Sequence, residues 1–403
     1  MWELLAGTAA GLALGTVSGL LPGIHVNTLA GLMLAGMALL LPLFGPVFLA
    51  AALISALMAH SFLDAVPSTF LGIPDADTAV AVLPAHALCL EGKGEEAVRV
   101  AALGSATGVI LAIPLCAALV VVMPAIQAAI DWATGILLAA VVCILLVHSP
   151  SLRVSLAVFL GSGILGLFAF RYSYLAPSPL GQSAVLMPLL TGLFGISVLI
   201  FSGSGTIPPQ EFSSIDLCGR SIARGSVLGT LAGTFVGWLP GLSNATANGV
   251  LCSALDYARD RREYILATSA ANTTNALVGL AALFAIDRTR NGVVSALTVL
   301  EHPSFHLLLA SAAIASLLAY LLTIRLSRIA SRMEGIDRTH LALGVCVFVT
   351  LVAFLSAGLF GLLVLCLATA LGVIPRLTAV PQVFCMGAIM LPVMLYSFGF
   401  SLF

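Results

Sequence analysis

Apolar segments of membrane-spanning length run through this chain almost without pause, separated by polar connections at 91–99, 202–224, 256–263, 287–291 and 325–338. Stretches of that kind need lipid as their solvent, because a hydrocarbon core about 30 Å thick takes roughly 20 apolar residues per helix. A soluble domain keeps its surface wet with about 25% charged residues. Here the charged share is 8% and the hydrophobic share 60%, and the mean hydropathy is +1.14. The chain therefore reads as an all-α polytopic membrane protein, multi-pass in the cytoplasmic membrane. It has room for about 10–14 spans or half-spans and no soluble domain. The apolar pattern places helices at 4–21, 25–41, 46–63, 100–123, 132–149, 152–170, 183–201, 222–239, 245–257, 263–286, 305–324, 340–356, 358–373 and 382–402.

Several functions are excluded at this level. A net charge of −1 offers no basic patch to nucleic acid. The cysteines contain no CxxC pair and most lie in apolar runs, where a thiol packs as a small hydrophobe. There is no Walker A loop, no GxSxG and no HExxH, so the reading is neither an ATP-driven pump nor an enzyme, with no metal and no cofactor. Met1-Trp2-Glu3 lacks the basic n-region of a signal peptide, so the first segment is expected to stay as a membrane element. Arg325, Arg328, Arg332 and Arg338 place their loop in the cytoplasm by the positive-inside rule, and a following two-helix hairpin returns Arg376 to the same side.

Compared with itself at an offset of 218 residues (225 − 7), the chain shows an internal duplication. Gly7, Gly11, Gly15 and Gly19 fall on Gly225, Gly229, Gly233 and Gly237, and GTVSGLLPG at 15–23 falls on GTFVGWLPG at 233–241. Glycines at every fourth position clear one helix face for close approach of another backbone. Each ladder ends in Pro-Gly, Pro22-Gly23 and Pro240-Gly241, where the helix should still be deep in the bilayer. Proline removes a donor and glycine permits non-helical dihedrals, so a break is expected at both places. Interrupted spans at matching positions of two halves mark the midplane site of a secondary transporter built from inverted repeats. The expected repeats are roughly 1–200 and 205–403.

The polar residues beyond the breaks are the candidate site. His25, Asn27 and Thr28 follow the first, and Ser243, Asn244, Thr246 and Asn248 the second. At the start of a half-helix they would sit among unpaired N–H groups and the positive dipole end, which favour an anion; Gly23 and Gly241 would open those ends. An ionisable group inside a span is functional by default, which singles out Asp64 as a cation ligand or protonatable carboxylate. Asn272, Thr273 and Asn275 add neutral oxygens suited to Na⁺ or to substrate; Asn and Thr also serve as plain interhelical hydrogen-bonders. The coupling ion is thus Na⁺ or H⁺. Asp75 and Asp77, after Pro74, fit a solvated turn as well as a site.

GLLPGIHVNT at 19–28, its echo GWLPGLSNAT at 237–246, the block LGIPDADTAVAVLPAHALCLEGKGEEAVRVAALGS at 71–105 and ATSAANTTNALVGLAALFAI at 267–286 resemble the large permease subunit of the tripartite tricarboxylate transporter family, the TctA-type membrane proteins. The likeness covers most of the chain. It implies a permease that takes up a small organic anion, a di- or tricarboxylate, by alternating access with a cation gradient. It also implies two partners, a small membrane subunit and an extracytoplasmic solute-binding protein, and a homo-oligomer is compatible with it. The spacing PGIHVNT and PGLSNAT resembles, in addition, membrane proteins that translocate polyprenyl phosphate. Such a protein would use the same helix-end anion site with lipid tails leaving sideways.

Overall fold

The computed structural model of the chain describes residues 1–21, 26–72, 82–176, 184–201, 206–255, 260–300, 303–332, 334–335 and 338–400. Pro22, Gly23, His25, Asp75 and Asp77 lie outside the described residues. The elements among the described residues are helical: α1 (Trp2–Leu20), α2 (Val26–Ala35), α3 (Met37–Leu63), α4 (Ala65–Leu71), α5 (Val82–Leu90), α6 (Gly94–Val147), α7 (Leu152–Arg171), α8 (Leu186–Leu190) and α9 (Ser197–Leu199), then α10 (Gly219–Trp238), α11 (Asn244–Ala254), α12 (Arg261–Ile286), α13 (Gly292–Leu297), α14 (Phe305–Ala330), α15 (Arg338–Thr378) and α16 (Gly387–Ser397). Seven helices among the described residues are long and apolar enough to cross a bilayer. Leucine, valine and phenylalanine side chains cover their outer faces, Leu359, Val121 and Leu39 among the most exposed, as a lipid-facing surface requires.

Several expected boundaries change; that between 25–41 and 46–63 moves to Gly36, with Gly45 (φ 75°, ψ 163°) inside α3. The segments at 100–123 and 132–149 belong to one helix, α6, of 54 residues. Straight, it would be about 81 Å long, more than twice the hydrocarbon core. Its first half follows α12, with Gly104 against Leu266 and Gly108 against Ala270. Its second half follows α11, with Leu138 at Gly241 and Leu145 at Gly249, and therefore doubles back. Pro114 and Pro124 lie inside it, and proline is a common cause of such a bend. The segments at 340–356 and 358–373 likewise meet within α15, at Gly358, whose φ of 62° and ψ of −153° leave the helical region.

The glycine ladders pack as their spacing predicts. Gly7, Gly11 and Gly15 of α1 lie against the carbonyls of Phe48, Ala52 and Ala56 of α3, and Gly229 and Gly233 of α10 against those of Ala267 and Ala271 of α12. In each pair the two helices run parallel, with a shorter helix, α2 or α11, returning between them. Across the molecule the direction reverses. Leu57 and His60 face Asn275 and Ala276, while Ser68 and Thr69 face Ile265 and Thr268, so the course through α3 and α4 is antiparallel to α12.

At one end of the bundle the polar residues gather. Glu96, 1% exposed, accepts from Arg262 at 2.6 and 2.9 Å, from the amide of Asp216 at 2.9 Å and from the Ser213 hydroxyl at 3.3 Å. Arg99 and Arg328 each lie 5.1 Å from the Phe212 ring. The extended connection around 206–218 is thereby clasped to α6, α12 and α14. The expected polar connection at 325–338 is shorter than the sequence suggested, since Arg325 and Arg328 lie in the last turns of α14; the positive-inside rule would put this end at the cytoplasmic face.

Candidate functional site

α10 stops at Trp238, Leu239 is extended (φ −80°, ψ 128°), and α11 starts at Asn244. Gly241 makes the turn with φ of +81°, a value that glycine reaches without steric penalty. In the first half α1 stops at Leu20, Leu21 is extended, and α2 starts at Val26. The second break lies beside α12, short of that helix's end. Gly237 touches Val278, and α12, 26 residues or about 39 Å long, continues beyond that level to Ile286, for about two more turns.

Both helix starts open on one cavity. It is lined by Val26 and Asn27 of α2, Leu57, His60 and Ser61 of α3, Asp64, Asn244 of α11, Asn272, Asn275 and Ala276 of α12, and Asn291. A second cavity continues on the far side of Asp64, among Ser61, Ala65, Ser68, Thr69, Ala85, Ala101, Ile265, Thr268, Ser269 and Asn272. Both are small, about 40 and 30 Å³ in volume. Ser61, Asp64 and Asn272 form the wall they share.

A chain of amides crosses that wall. Asn244 Nδ2 donates to Asn272 Oδ1 at 2.7 Å, and Asn272 Nδ2 reaches Asp64 Oδ2 at 3.5 Å. Asn244 is 1% exposed, and its Oδ1 has no hydrogen-bond partner among the described residues. A buried oxygen in that state costs about 1–3 kcal/mol until a donor or cation meets it. His60, 5% exposed, shares a 3.1 Å hydrogen bond with Ser18 near the end of α1. Asn27 Oδ1 accepts from the Gly292 amide at 2.8 Å, tying the first half to the start of α13. The N-terminal ends of α2 and α11 bring partial positive charge to the cavity, and Asp64 is the acid among its lining residues.

The family model of the Tripartite tricarboxylate transporter TctA family matches residues 5–387. The chain belongs to the TctA family. It is also similar to an uncharacterized protein, MJ1079, of Methanocaldococcus jannaschii, 29% identical over 353 residues that make up 86% of each chain. No solved structure matches. TctA proteins are transporters rather than enzymes, and membership makes this chain a tricarboxylate transporter component in a multi-pass membrane location.

Within this TctA protein the expected site residues fall into two groups. Asn27, Asp64, Asn244, Asn272 and Asn275 meet at the cavity. Thr28 is half-buried on α2 outside the lining. Ser243 caps α11 by accepting from the Thr246 amide at 3.4 Å, and its hydroxyl points to Met386. Thr246 faces Met390, the Asn248 carbonyl accepts from the Tyr264 hydroxyl, and Thr273 is fully buried on another face of α12. Pro240 and Gly241 form the turn itself.

His60 and Asn291 line the same cavity. Asn291 also caps α13 through the Val294 amide at 2.8 Å. His60 holds the place in the first ladder that Asn275 holds in the second, since Gly19 packs on the His60 carbonyl and Gly237 on that of Asn275. The offset of 218 hides this match, because it pairs Asn275 with Leu57.

Proposed function

We propose that this TctA protein is the permease subunit of a secondary carboxylate transporter, with its two halves, roughly 1–200 and 205–403, acting as inverted repeats. The observation that carries the reading is the shared cavity: Asn27 and Asp64 from one half meet Asn244, Asn272 and Asn275 from the other at the level of the helix breaks. The small organic anion, a di- or tricarboxylate, sits against the positive ends of α2 and α11, with Asn27 on one side and Asn244 on the other. The cation, Na⁺ or H⁺, is held by Asp64 with Asn272 and Asn275. The unpartnered Oδ1 of Asn244 supports Na⁺, for which it is a suitable neutral ligand.

Two cavities divided by a wall at Asp64 suit alternating access. Rocking one half against the other would open first one and then the other to its aqueous phase. Family membership supports work alongside a small membrane subunit and an extracytoplasmic solute-binding protein. It also favours carboxylates over polyprenyl phosphate.

Proteoliposomes containing the chain, its small subunit and its binding protein provide the test. Uptake of labelled citrate or succinate should depend on an inward Na⁺ or H⁺ gradient. Asp64→Asn should abolish that dependence, leaving uptake down at least about tenfold, because an ion ligand of full charge is lost. Equal uptake with and without either gradient, or an Asp64→Asn protein indistinguishable from the parent, would remove the reading.

A further inference from the structure

A broken helix has two ends at the break, and they carry opposite signs. The start of α11 is worth about half a positive charge and the end of α10 about half a negative one. An anion beside the break therefore meets a dipole with almost no net attraction. The end of α10 is also short of donors. In an unbroken helix the Val236 carbonyl would accept from residue 240, which is proline and has no N–H; the carbonyls of Gly237 and Leu239 lose their donors because 239–243 leave the helix.

Arg290 meets all three of those carbonyls. Its guanidinium donates to Val236 O at 2.7 Å, to Gly237 O at 3.2 Å and to Leu239 O. The planar fork of five donors is suited to several acceptors at once, and it stays protonated at any physiological pH. The neighbouring cation, Arg288, is bound elsewhere, 2.6 Å from Asp131. The next residues of the same turn reach the cavity. Asn291 lines it, and the Gly292 amide donates to Asn27 Oδ1 at 2.8 Å. Asp287, in the left-handed region with φ of 52°, closes α12 and turns the chain so that Arg290, Asn291 and Gly292 bridge the second helix break to the first α2 turn.

We propose that Arg290 is a positioning and charge-setting residue: it neutralises the negative end of α10, so that the second break presents net positive charge to the cavity and holds multiply charged anions. This deepens the carboxylate reading above and rests on it for the class of ligand. The local effect does not depend on any substrate.

The test has two arms. In the first, Ser243→Cys is introduced into a full-length chain whose native cysteines are replaced, and the pKa of the new thiol is taken from the pH dependence of its reaction with N-ethylmaleimide. Arg290→Gln, which keeps donors and loses charge, should raise that pKa by about one unit, and Arg290→Lys should restore most of the difference. An unchanged pKa in the folded Arg290→Gln protein overturns the proposal. So does failure of both Arg290→Gln and Arg290→Lys to fold, which would make the residue a helix cap alone.

In the second arm, proteoliposome uptake compares citrate with succinate. Arg290→Gln should raise KM about tenfold for citrate and about fivefold for succinate with kcat little changed, since the lost attraction scales with ligand charge. Equal factors for the two, or a fall in kcat alone, would mark a structural role and overturn the proposal. If the parent protein takes up neither anion, the carboxylate reading falls, and the thiol measurement still decides the role of Arg290.

Discussion

Asp64 stands out because a carboxylate in an apolar span is expensive, and its position at the joint of α3 and α4 puts it in the wall between two cavities. Asn272 and Asn275 were legible for a related reason: amides in a run of alanine and leucine need partners. Which partner each has was not legible, because the 208 residues (272 − 64) between Asn272 and Asp64 are spanned by packing and not by local geometry. Cys218 is a residue of a different kind. It sits exposed ahead of α10, and hydrogen bonding with the Ser221 hydroxyl and from the Ser221 amide holds its thiol below the ordinary cysteine range. A lowered pKa means more thiolate at neutral pH, and thiolate is the reactive form. Cys218 should therefore be the thiol alkylated first at pH 7, well ahead of the buried Cys116 and Cys385, and mass spectrometry after a short maleimide pulse would check the order. Because it adjoins the clasped 206–218 connection, a membrane-impermeant maleimide should miss it in intact cells and label it in inverted vesicles.

Helix pairs carry the next level of order. The ladders of glycine were readable as a close-packing face from spacing alone, and the structure supplies what they pack on, a row of carbonyls on α3 and another on α12. A Cβ at Gly11 would run into the Ala52 carbonyl, and one at Gly233 into that of Ala271; backbone on both sides leaves little room to yield. Gly11→Ala and Gly233→Ala should each cost about 1–3 kcal/mol, the usual range for overpacking. Gly344→Ala in α15, with nothing within 4 Å, should be neutral or gain up to about 1 kcal/mol, since alanine loses less backbone entropy. Unfolding of the three proteins in detergent would separate the cases. The joining of 100–123 to 132–149 escaped sequence reading because Pro124 looks like a terminator, yet proline also occurs within bent membrane helices when neighbours satisfy the freed groups.

The whole molecule is held across its halves by charge at one end and by amides in the middle. Glu96 from the first half and Arg262 from the second form a pair whose side chains are 2% and 16% exposed, and Glu91 meets Arg261 at 2.6 Å nearby. Removing one partner of a buried pair leaves an uncompensated charge, so Arg262→Gln should destabilise the protein by about 3–5 kcal/mol. Adding Glu96→Gln should recover part of that loss. A double-mutant cycle on unfolding midpoints checks both, and additive losses would show that the two side chains do not act as a pair. The exposed pair of Glu91 with Arg261, by contrast, should contribute no more than about 1 kcal/mol.

From its residues alone this protein was bound to be helical and membrane-embedded, with close-packing glycine ladders, an interruption at Pro240-Gly241 and a family likeness to TctA permeases. Those properties follow from local chemistry: apolar run length, the missing N–H of proline, the missing Cβ of glycine. Tertiary structure decided what faces what. It set α3 antiparallel to α12, put His60 rather than Leu57 opposite Asn275's place in the ladder, turned Ser243 and Thr246 toward methionines, and brought Arg290 to the carbonyls stranded by Pro240. None of these could be read along the chain, because each depends on helices meeting whose residues lie far apart in sequence, and a helix presents the same periodic face whichever neighbour covers it.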